Sequence, residues 1–306
     1  MTARSGVLVV DKAAGLTSFD VVALVRQQLH ARRVGHAGTL DPGALGVLPV
    51  LIGEATKLQP YLGERDKEYV ATIRFGLTTD TEDVGGRVLA TAPVPELTLD
   101  RLERIARPFV GRIAQVPPMY SAVHHGGRRL YELARRGEHV ERAPREVVVH
   151  SIAVEDLVMP LARVRIVCGK GTYVRTIAAD LGRAVGCGAA LERLVRTRVG
   201  PFTRAEALAS SEIATTTADM LWRRVQPPET ALAGLPSVRL DESAAARFVH
   251  GQSVEARGLA PEQPHVAVHA LAGPLLGIGE LSADGVRLKP ARILHADHPG
   301  SRVLPA

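Results

Sequence analysis

The sequence predicts an α/β protein, more closely an α+β one, with a small mainly β module at its C-terminal end. Three observations indicate this class. Residues 69–75 alternate apolar and polar side chains, which is typical of a half-buried strand. Residues 18–30 repeat apolar side chains every three or four positions, which is typical of an amphipathic helix. After residue 232, short strand patterns predominate.

The N-terminal part of the chain alternates strand and helix patterns. Gly6 to Val10 is a short apolar run, which predicts a buried strand. The segment Thr17-Ser-Phe-Asp20 fits a capping box, so we expect a helix from Ser18 to about His30. Residues 76–86 are predicted to form an acidic loop.

The middle of the chain contains one region that differs from its surroundings. Arg163 to Cys168 alternates as a strand does, and a helix is predicted to follow from Thr172 to Val185. Residues 124–146, in contrast, are rich in Arg, His, Gly and Glu and have few apolar side chains. We therefore expect them to form a projecting or mobile element.

A domain boundary is predicted near residue 232, where Pro and Gly cluster and the charge pattern changes. Residues 1–231 would form one domain and residues 232–306 a second, mainly β domain. The second domain is predicted to contain one helix, Glu242 to His250, and strands at Val266–Leu271, Gly277–Leu281 and Val286–Leu288.

Composition limits the possible classes of protein. The 306 residues, 46% of them hydrophobic, suit two domains, or one large domain with an appendage, with a real core. No run of about 18 apolar residues predicts a membrane span, and no secretory signal pattern is present, so we expect a cytoplasmic location.

Two cysteines, Cys168 and Cys187, are too few for a disulfide framework and are expected to pack in the core. No zinc spacing is present, so no metal is expected.

Positive charge concentrates in the middle of the chain. Overall, 38 Lys and Arg oppose 32 Asp and Glu, a net charge of +6. Residues 161–204 hold nine basic and two acidic side chains, a net of +7, whereas residues 235–306 hold seven of each. A basic region favours a polyanion such as RNA through counterion release. A codon bias toward Arg explains the same charge equally well.

The polar, glycine-rich segment from Arg32 to Gly46 is the strongest candidate for a functional loop. It carries His36 and Asp41 among four glycines, which allow positive φ and close approach of a ligand. Pro42 biases Asp41 toward an extended backbone, which would hold its carboxylate in one direction. From spacing alone, a catalytic acid and a structural Asx turn both remain open.

The turn Gly169-Lys-Gly-Thr172 partly resembles a phosphate loop. A Walker motif requires Lys directly before Ser or Thr, and here Gly171 separates Lys170 from Thr172, which excludes that motif. Lys170 does precede a predicted helix start, where phosphates bind well. A contact with RNA backbone and an ordinary solvated turn both remain open.

Several separated motifs together resemble those of the TruB-type tRNA pseudouridine synthases. They occur in the family's order over most of the predicted catalytic region. The motifs are Val10–Asp20, Gly35–Pro49 with Gly53–Lys57, Lys67–Tyr69 with Gly76–Asp83, Val116–Val123 and Cys168–Thr176. The departure is mild: Ala13-Ala14 stands where the family often has Lys or Pro before Gly.

The resemblance implies a pseudouridine-synthase core, a mixed and mostly antiparallel sheet flanked by helices, followed by a PUA-like RNA-binding domain. It implies isomerisation of the uridine at position 55, in the T-loop of tRNA. That reaction breaks the bond from ribose to base N1 and makes one to C5, without redox chemistry, so no cofactor is expected. The implied partner is the T-arm stem-loop of tRNA, bound by a monomer.

The resemblance also implies roles for individual residues in catalysis. Asp41 would be the nucleophile, and Arg175 the partner that keeps it ionised and oriented. Tyr69 would stack on the target base and help remove the C5 proton. Attack at C6, attack at C1′ and a glycal route all remain open.

Other implied residues bind the substrate. Tyr173 and Leu194 would line the pocket, and Lys12 and Lys170 would contact the RNA. His36 would stack in the space that the flipped uridine leaves. Residues 124–146 resemble the family's insertion that clasps the T-arm, whose phosphates would meet Arg128, Arg129, Arg135 and Arg136.

Two alternatives remain open. One keeps the chemistry but changes the target to another RNA or a guide-RNA-dependent complex, although the chain lacks the long Lys-rich tails expected of an assembly subunit. The other is a tRNA-binding protein that helps tRNA fold, with little catalysis. Asp41 discriminates between binder and enzyme, because a pure binder has no need of that carboxylate.

Overall fold

The computed structural model describes residues 4–256, 259 and 264–294 of the chain. Within these residues the helices are α1 Ser18–Leu29, α2 Gln59–Gly63, α3 Leu99–Ala106, α4 Leu130–Arg135, α5 Val174–Val185, α6 Ala218–Arg224 and α7 Glu242–Val249. The strands are β1 Gly6–Lys12, β2 Val34–His36, β3 Leu45–Ile52, β4 Lys67–Phe75, β5 Leu77–Thr79, β6 Val88–Thr91, β7 Gly111–Gln115, β8 His124–His125, β9 Arg128–Arg129, β10 Arg145–Val158, β11 Leu161–Cys168, β12 Ala189–Val199, β13 Phe202–Thr203, β14 Leu208–Ala209, β15 Ser237–Leu240, β16 Val254–Glu255, β17 His265–Ala270, β18 Leu275–Leu281 and β19 Arg287–Ile293.

The chain divides into two compact units. The first consists of Asp41–Val47 and Glu64–Val199. The second consists of the described residues of Met1–Leu40, Leu48–Gly63 and Gly200–Ala306. This division does not follow the boundary expected near residue 232, which stays a prediction.

The first unit is built on an antiparallel sheet with the strand order β12-β4-β11-β10-β7. Strand β4 buries every second side chain, including Tyr69, Ala71, Ile73 and Phe75, which confirms the predicted alternation. The start of β3 pairs in parallel with β12. Helix α5 packs against β12 and is capped at its C-terminal end by Gly186, whose φ of +94° favours glycine.

The second unit contains the N-terminal strands and a separate C-terminal sheet. Strand β1 pairs in parallel with β14, and β2 pairs antiparallel with β3. Helix α1 begins with the predicted capping box, in which the Thr17 hydroxyl and the Asp20 carboxylate satisfy each other's backbone N–H groups. The C-terminal sheet has the order β15-β17-β18-β19-β16, and its core includes Phe248 of α7.

These features confirm the predicted fold class. The parallel pairs include β1–β14, β3–β12 and β15–β17, and the antiparallel pairs include β4–β11, β4–β12 and β10–β11. The sheet is therefore mixed and mostly antiparallel. Within the described residues no helix is long and apolar enough to cross a membrane.

Two local predictions need correction. Residues 76–86 are not entirely a loop, because β5 lies within them and pairs with β6. Residues 124–146 have more of a core than their composition suggested. Leu130 and Leu133 of α4 pack on Met119, an apolar partner that lies outside the segment. The projecting or mobile character of the segment stays a prediction.

Candidate active site

Asp41 and Arg175 form an ion pair within the first unit. Arg175 Nε lies 2.9 Å from Asp41 Oδ2. The arginine side chain is 6% exposed, whereas the aspartate side chain is 47% exposed. A charge-assisted bond of this length orients the carboxylate, and its exposure leaves one side of it open to a ligand.

The guanidinium of Arg175 is held by two further acceptors. Its Nη1 donates to the carbonyl oxygen of Thr81 at 3.0 Å, and its Nη2 donates to that of Tyr120 at 2.8 Å. A buried arginine needs such partners, because an unpaired buried charge is costly. A lysine ammonium lacks the planar fork that reaches these three acceptors together.

The backbone after Asp41 depends on a glycine. The Asp41 carbonyl accepts from Ala44 N at 3.0 Å, which closes a turn. Gly46 has a φ of +107°, and a Cβ there would lie 2.1 Å from the carbonyl oxygen of Arg196. Only glycine therefore lets β3 run against β12 at this point.

Tyr69 and Leu194 lie on neighbouring strands with side chains on one face of the sheet. Tyr69 is opposite Arg196, and Ala71 is opposite Leu194, in the register of β4 and β12. Strand β12 is irregular on both sides of this region, and such bulges redirect side chains. Burial raises the pKa of Tyr69, although Arg196 opposes the shift, so the phenol stays neutral at physiological pH.

Arg196 is a buried arginine that was not among the predicted site residues. It is 1% exposed, and its Nε donates to the Val47 carbonyl oxygen at 2.8 Å. It also hydrogen-bonds the Tyr69 side chain. The period of two along β12 offered a signal, since Arg196 follows Leu194 on the same face.

Tyr173 is the residue before the first residue of α5. Its N–H donates to Gln115 Oε1 at 2.8 Å, and its carbonyl oxygen accepts from Gln115 Nε2 at 3.1 Å. Burial raises the pKa of Tyr173, while Ser121 and Arg175 oppose the shift. Nothing in the sequence pattern pointed to Gln115.

Glu82 supports the loop that holds Arg175. It has a φ of +64°, which is uncommon for a residue other than glycine. Its carboxylate accepts from the Thr176 hydroxyl at 2.7 Å. Burial raises the pKa of Glu82, against the effects of Thr176 and Arg175. Thr81, the residue before Glu82, supplies one of the carbonyl oxygens that accept from Arg175. The bond between Thr176 and Glu82 therefore attaches this loop to α5, the helix that carries Arg175.

Ser18 holds the residue that precedes Asp41 in the chain. Its buried hydroxyl donates to the Leu40 carbonyl oxygen at 3.1 Å and accepts from Leu40 N at 2.9 Å. The second unit thereby fixes the backbone at residue 40. The capping-box pattern placed Ser18 only at a helix start.

The remaining predicted site residues lie in different surroundings. Lys170 is exposed and forms an ion pair with Glu64. His36 ends β2 in the second unit, opposite Val50. Lys12 is 0% exposed, and its ammonium group donates to the Leu16 carbonyl at 2.7 Å and to the Ala13 carbonyl at 3.0 Å.

The role predicted for Lys12 in substrate binding stays a prediction. The buried ammonium group of Lys12 binds the backbone of its own turn, so in this structure Lys12 holds the turn together. The sequence could not show this, because a lysine in a turn is usually solvated. In the described part of the chain, no group of three or more His, Cys, Asp or Glu is arranged to hold a metal ion.

Solved structures share this architecture. The structure of an H/ACA RNP bound to a substrate RNA containing 2′-deoxyuridine has a TM-score of 0.74 and 25% identity, covering 95% of this chain and 85% of that one. A Cbf5-Nop10-Gar1 complex has a TM-score of 0.75 and 26% identity, and the match covers 94% of this chain and 84% of that one. The fold and the site thus define the pseudouridine-synthase class.

Family models and relatives make the assignment narrower. The model for the TruB family pseudouridylate synthase N-terminal domain matches residues 26–174, and two TruB C-terminal models match residues 175–233 and 236–294. A tRNA pseudouridine synthase B from Symbiobacterium thermophilum is 49% identical over 80% of this chain and 82% of its own length. A tRNA pseudouridine synthase B from Burkholderia mallei is 43% identical over 95% of this chain and 97% of its own length. The chain belongs to the TruB family of pseudouridylate synthases.

Proposed function

We propose that this protein isomerises uridine to pseudouridine at position 55, in the T-loop of tRNA. One observation carries the proposal: a half-exposed carboxylate, Asp41, is held by the buried Arg175 in a chain of this family. Relatives that are 43–49% identical bear the name tRNA pseudouridine synthase B. This supports tRNA as the substrate over a guide-RNA-dependent target, since the RNP structures are only 25–26% identical.

Asp41 acts as the nucleophile in this proposal. The bond from C1′ to N1 breaks and a bond from C1′ to C5 forms, while C5 loses a proton and N1 gains one. Atoms and electrons balance without an oxidant or a reductant, so the reaction needs no cofactor. A carboxylate assists by engaging the substrate covalently, and Arg175 keeps that carboxylate oriented.

Tyr69, Tyr173 and Leu194 surround the base in this proposal. Because burial raises the pKa of Tyr69, its phenol is neutral and a weak base. Stacking on the base and hydrogen bonding through the neutral hydroxyl are therefore its main contributions, rather than action as a phenolate. Leu194 contributes apolar surface from the face that Tyr69 shares.

RNA binding is assigned to the basic and exposed parts of the chain. Arg128, Arg129, Arg135 and Arg136 meet phosphates of the T-arm, and Lys170 contributes a further contact. His36 stacks in the space left by the flipped uridine. Lys12 supports substrate binding by keeping the turn before α1 in place. Residues 232–306, as a PUA-like domain, contact the acceptor arm of tRNA. The protein acts as a monomer in the cytoplasm.

Tritium release tests this function. Purified protein is incubated with a tRNA transcript whose uridines carry tritium at C5, and with a matched transcript in which the T-loop uridine is replaced by cytidine. The proposal predicts release from the first transcript and none from the second. Equal release from both would contradict the T-loop assignment. Binding of both without any release would favour the tRNA-folding alternative.

A further inference from the structure

Gln115 binds both backbone groups of Tyr173, although the two residues are far apart in sequence. Gln115 Oε1 accepts from Tyr173 N at 2.8 Å, and Gln115 Nε2 donates to the Tyr173 carbonyl oxygen at 3.1 Å. The glutamine is 2% exposed and ends strand β7. We propose that Gln115 is a positioning residue that fixes the start of α5 and, through it, Tyr173 and Arg175. This inference rests on the proposed function.

The start of α5 needs such a partner. The first N–H groups of a helix have no acceptor within the helix. Tyr173 precedes the first helical residue and provides no side-chain cap of its own. Gln115, at the end of β7, supplies an acceptor for the Tyr173 N–H. The position of the helix start therefore depends on β7.

The start of α5 carries the residues that the reaction uses. Arg175 is the second residue of the helix and pairs with Asp41, and Tyr173 lies just before it. A displacement of about 1 Å at reacting groups can lower a rate on the order of 100-fold. A small shift of this helix start would therefore weaken catalysis without unfolding the protein.

Gln115 also lies at the root of the basic insertion. It pairs with Arg145 across β7 and β10, and these two residues flank residues 116–144. Tyr120, inside that stretch, accepts the bond from Arg175 Nη2. The segment that leads into the insertion at residues 124–146 thus contacts the start of α5 through the Gln115 side chain and the Tyr120 carbonyl oxygen.

The test compares two substitutions that differ in the bonds they keep. Gln115→Met keeps the approximate size and loses both bonds. Gln115→Glu keeps the acceptor for Tyr173 N–H, and its carboxyl group can donate to the carbonyl oxygen only when protonated. Arg112→Met is the matched control, because Arg112 lies on the same strand in an exposed ion pair with Glu146. Single-turnover tritium release and tRNA affinity are measured for each variant.

We expect Gln115→Met to lower the single-turnover rate about 10- to 100-fold while tRNA affinity changes by less than about threefold. The rate of Gln115→Glu relative to wild type should rise as pH falls, because protonation restores the second bond. Arg112→Met should behave as wild type. These readouts separate positioning from a general structural role, which would lower affinity and rate together.

Two results would overturn the inference. The first is a wild-type rate for folded Gln115→Met. The second, which decides the matter if Gln115→Met does not fold, is a Gln115→Glu rate whose ratio to wild type is independent of pH. Failure of the proposed function has a different signature, since wild-type protein itself would then release no tritium.

Discussion

Arg175 and Asp41 form a bond of 2.9 Å between a buried guanidinium and a half-exposed carboxylate. The arginine depends on the aspartate for charge compensation, and on Thr81 and Tyr120 for its remaining bonds. The aspartate depends on the arginine for its direction. The exposed side of the carboxylate is then the place at which a flipped base can meet a nucleophile of fixed orientation.

Arg175→Lys should greatly reduce activity. An ammonium group cannot serve one carboxylate and two carbonyls in a plane, so we expect a single-turnover rate lower by about 100-fold or more. We also expect unfolding in urea to show a loss of about 1–3 kcal/mol, the usual scale for leaving a buried polar group without its partner. Arg183→Lys, an exposed position on the same helix, is the control. Equal effects of the two substitutions would contradict the special position of Arg175.

Ser18→Ala should affect catalysis through the backbone. The substitution removes both bonds to Leu40 and leaves its buried N–H and carbonyl without that partner. We expect a loss of stability of about 1–3 kcal/mol and a single-turnover rate lower by about 10-fold. Ser237→Ala, at an exposed serine of the same unit, should change neither quantity. Loss of stability alone, at an unchanged rate, would show that Ser18 does not position Asp41.

Elements with local signals were predicted well from the sequence. The capping box at Thr17 and Asp20 and the alternation along β4 both depend on nearby residues, so spacing alone identified them. The family motifs also brought Asp41 and Arg175 into one hypothesis, and the structure places them in contact.

Long-range polar contacts were not predictable in the same way. Gln115 and Tyr173 are 58 positions apart, and no periodicity links the end of one strand to the start of a helix. The burial of Lys12 was missed for a related reason. The sequence around Lys12 predicts a turn, but only the packing around that turn shows that the ammonium group faces inward.

Lys67 should make stability depend on alkaline pH. Burial, together with Arg196, lowers the pKa of Lys67 from 10.5 to about 8. Between these values the unfolded chain binds more protons than the folded one, so folding stability gains as pH rises. Relative to Lys67→Met, wild type should gain at most about 1.4 kcal/mol per pH unit in this window. Urea unfolding of both proteins from about pH 7 to 10 measures the difference. A constant difference would contradict the lowered pKa.

The insertion arginines should govern affinity and not chemistry. Each Lys or Arg contact with a phosphate contributes about one unit to the slope of log affinity against log salt. Replacing Arg128 and Arg129 by Met should therefore reduce that slope by about two and weaken tRNA binding at low salt. The single-turnover rate at saturating enzyme should stay at the wild-type value. A changed rate at saturation would show that these side chains act in catalysis.

The role of Asp41 is tested most directly by tritium release from C5-labelled tRNA with wild type and Asp41→Asn side by side. The amide keeps the size of the carboxylate and removes its nucleophilic charge. We predict that the variant binds tRNA with near wild-type affinity and releases no tritium above background. Release at the wild-type rate from the variant would contradict the account, because the carboxylate would then not be the nucleophile.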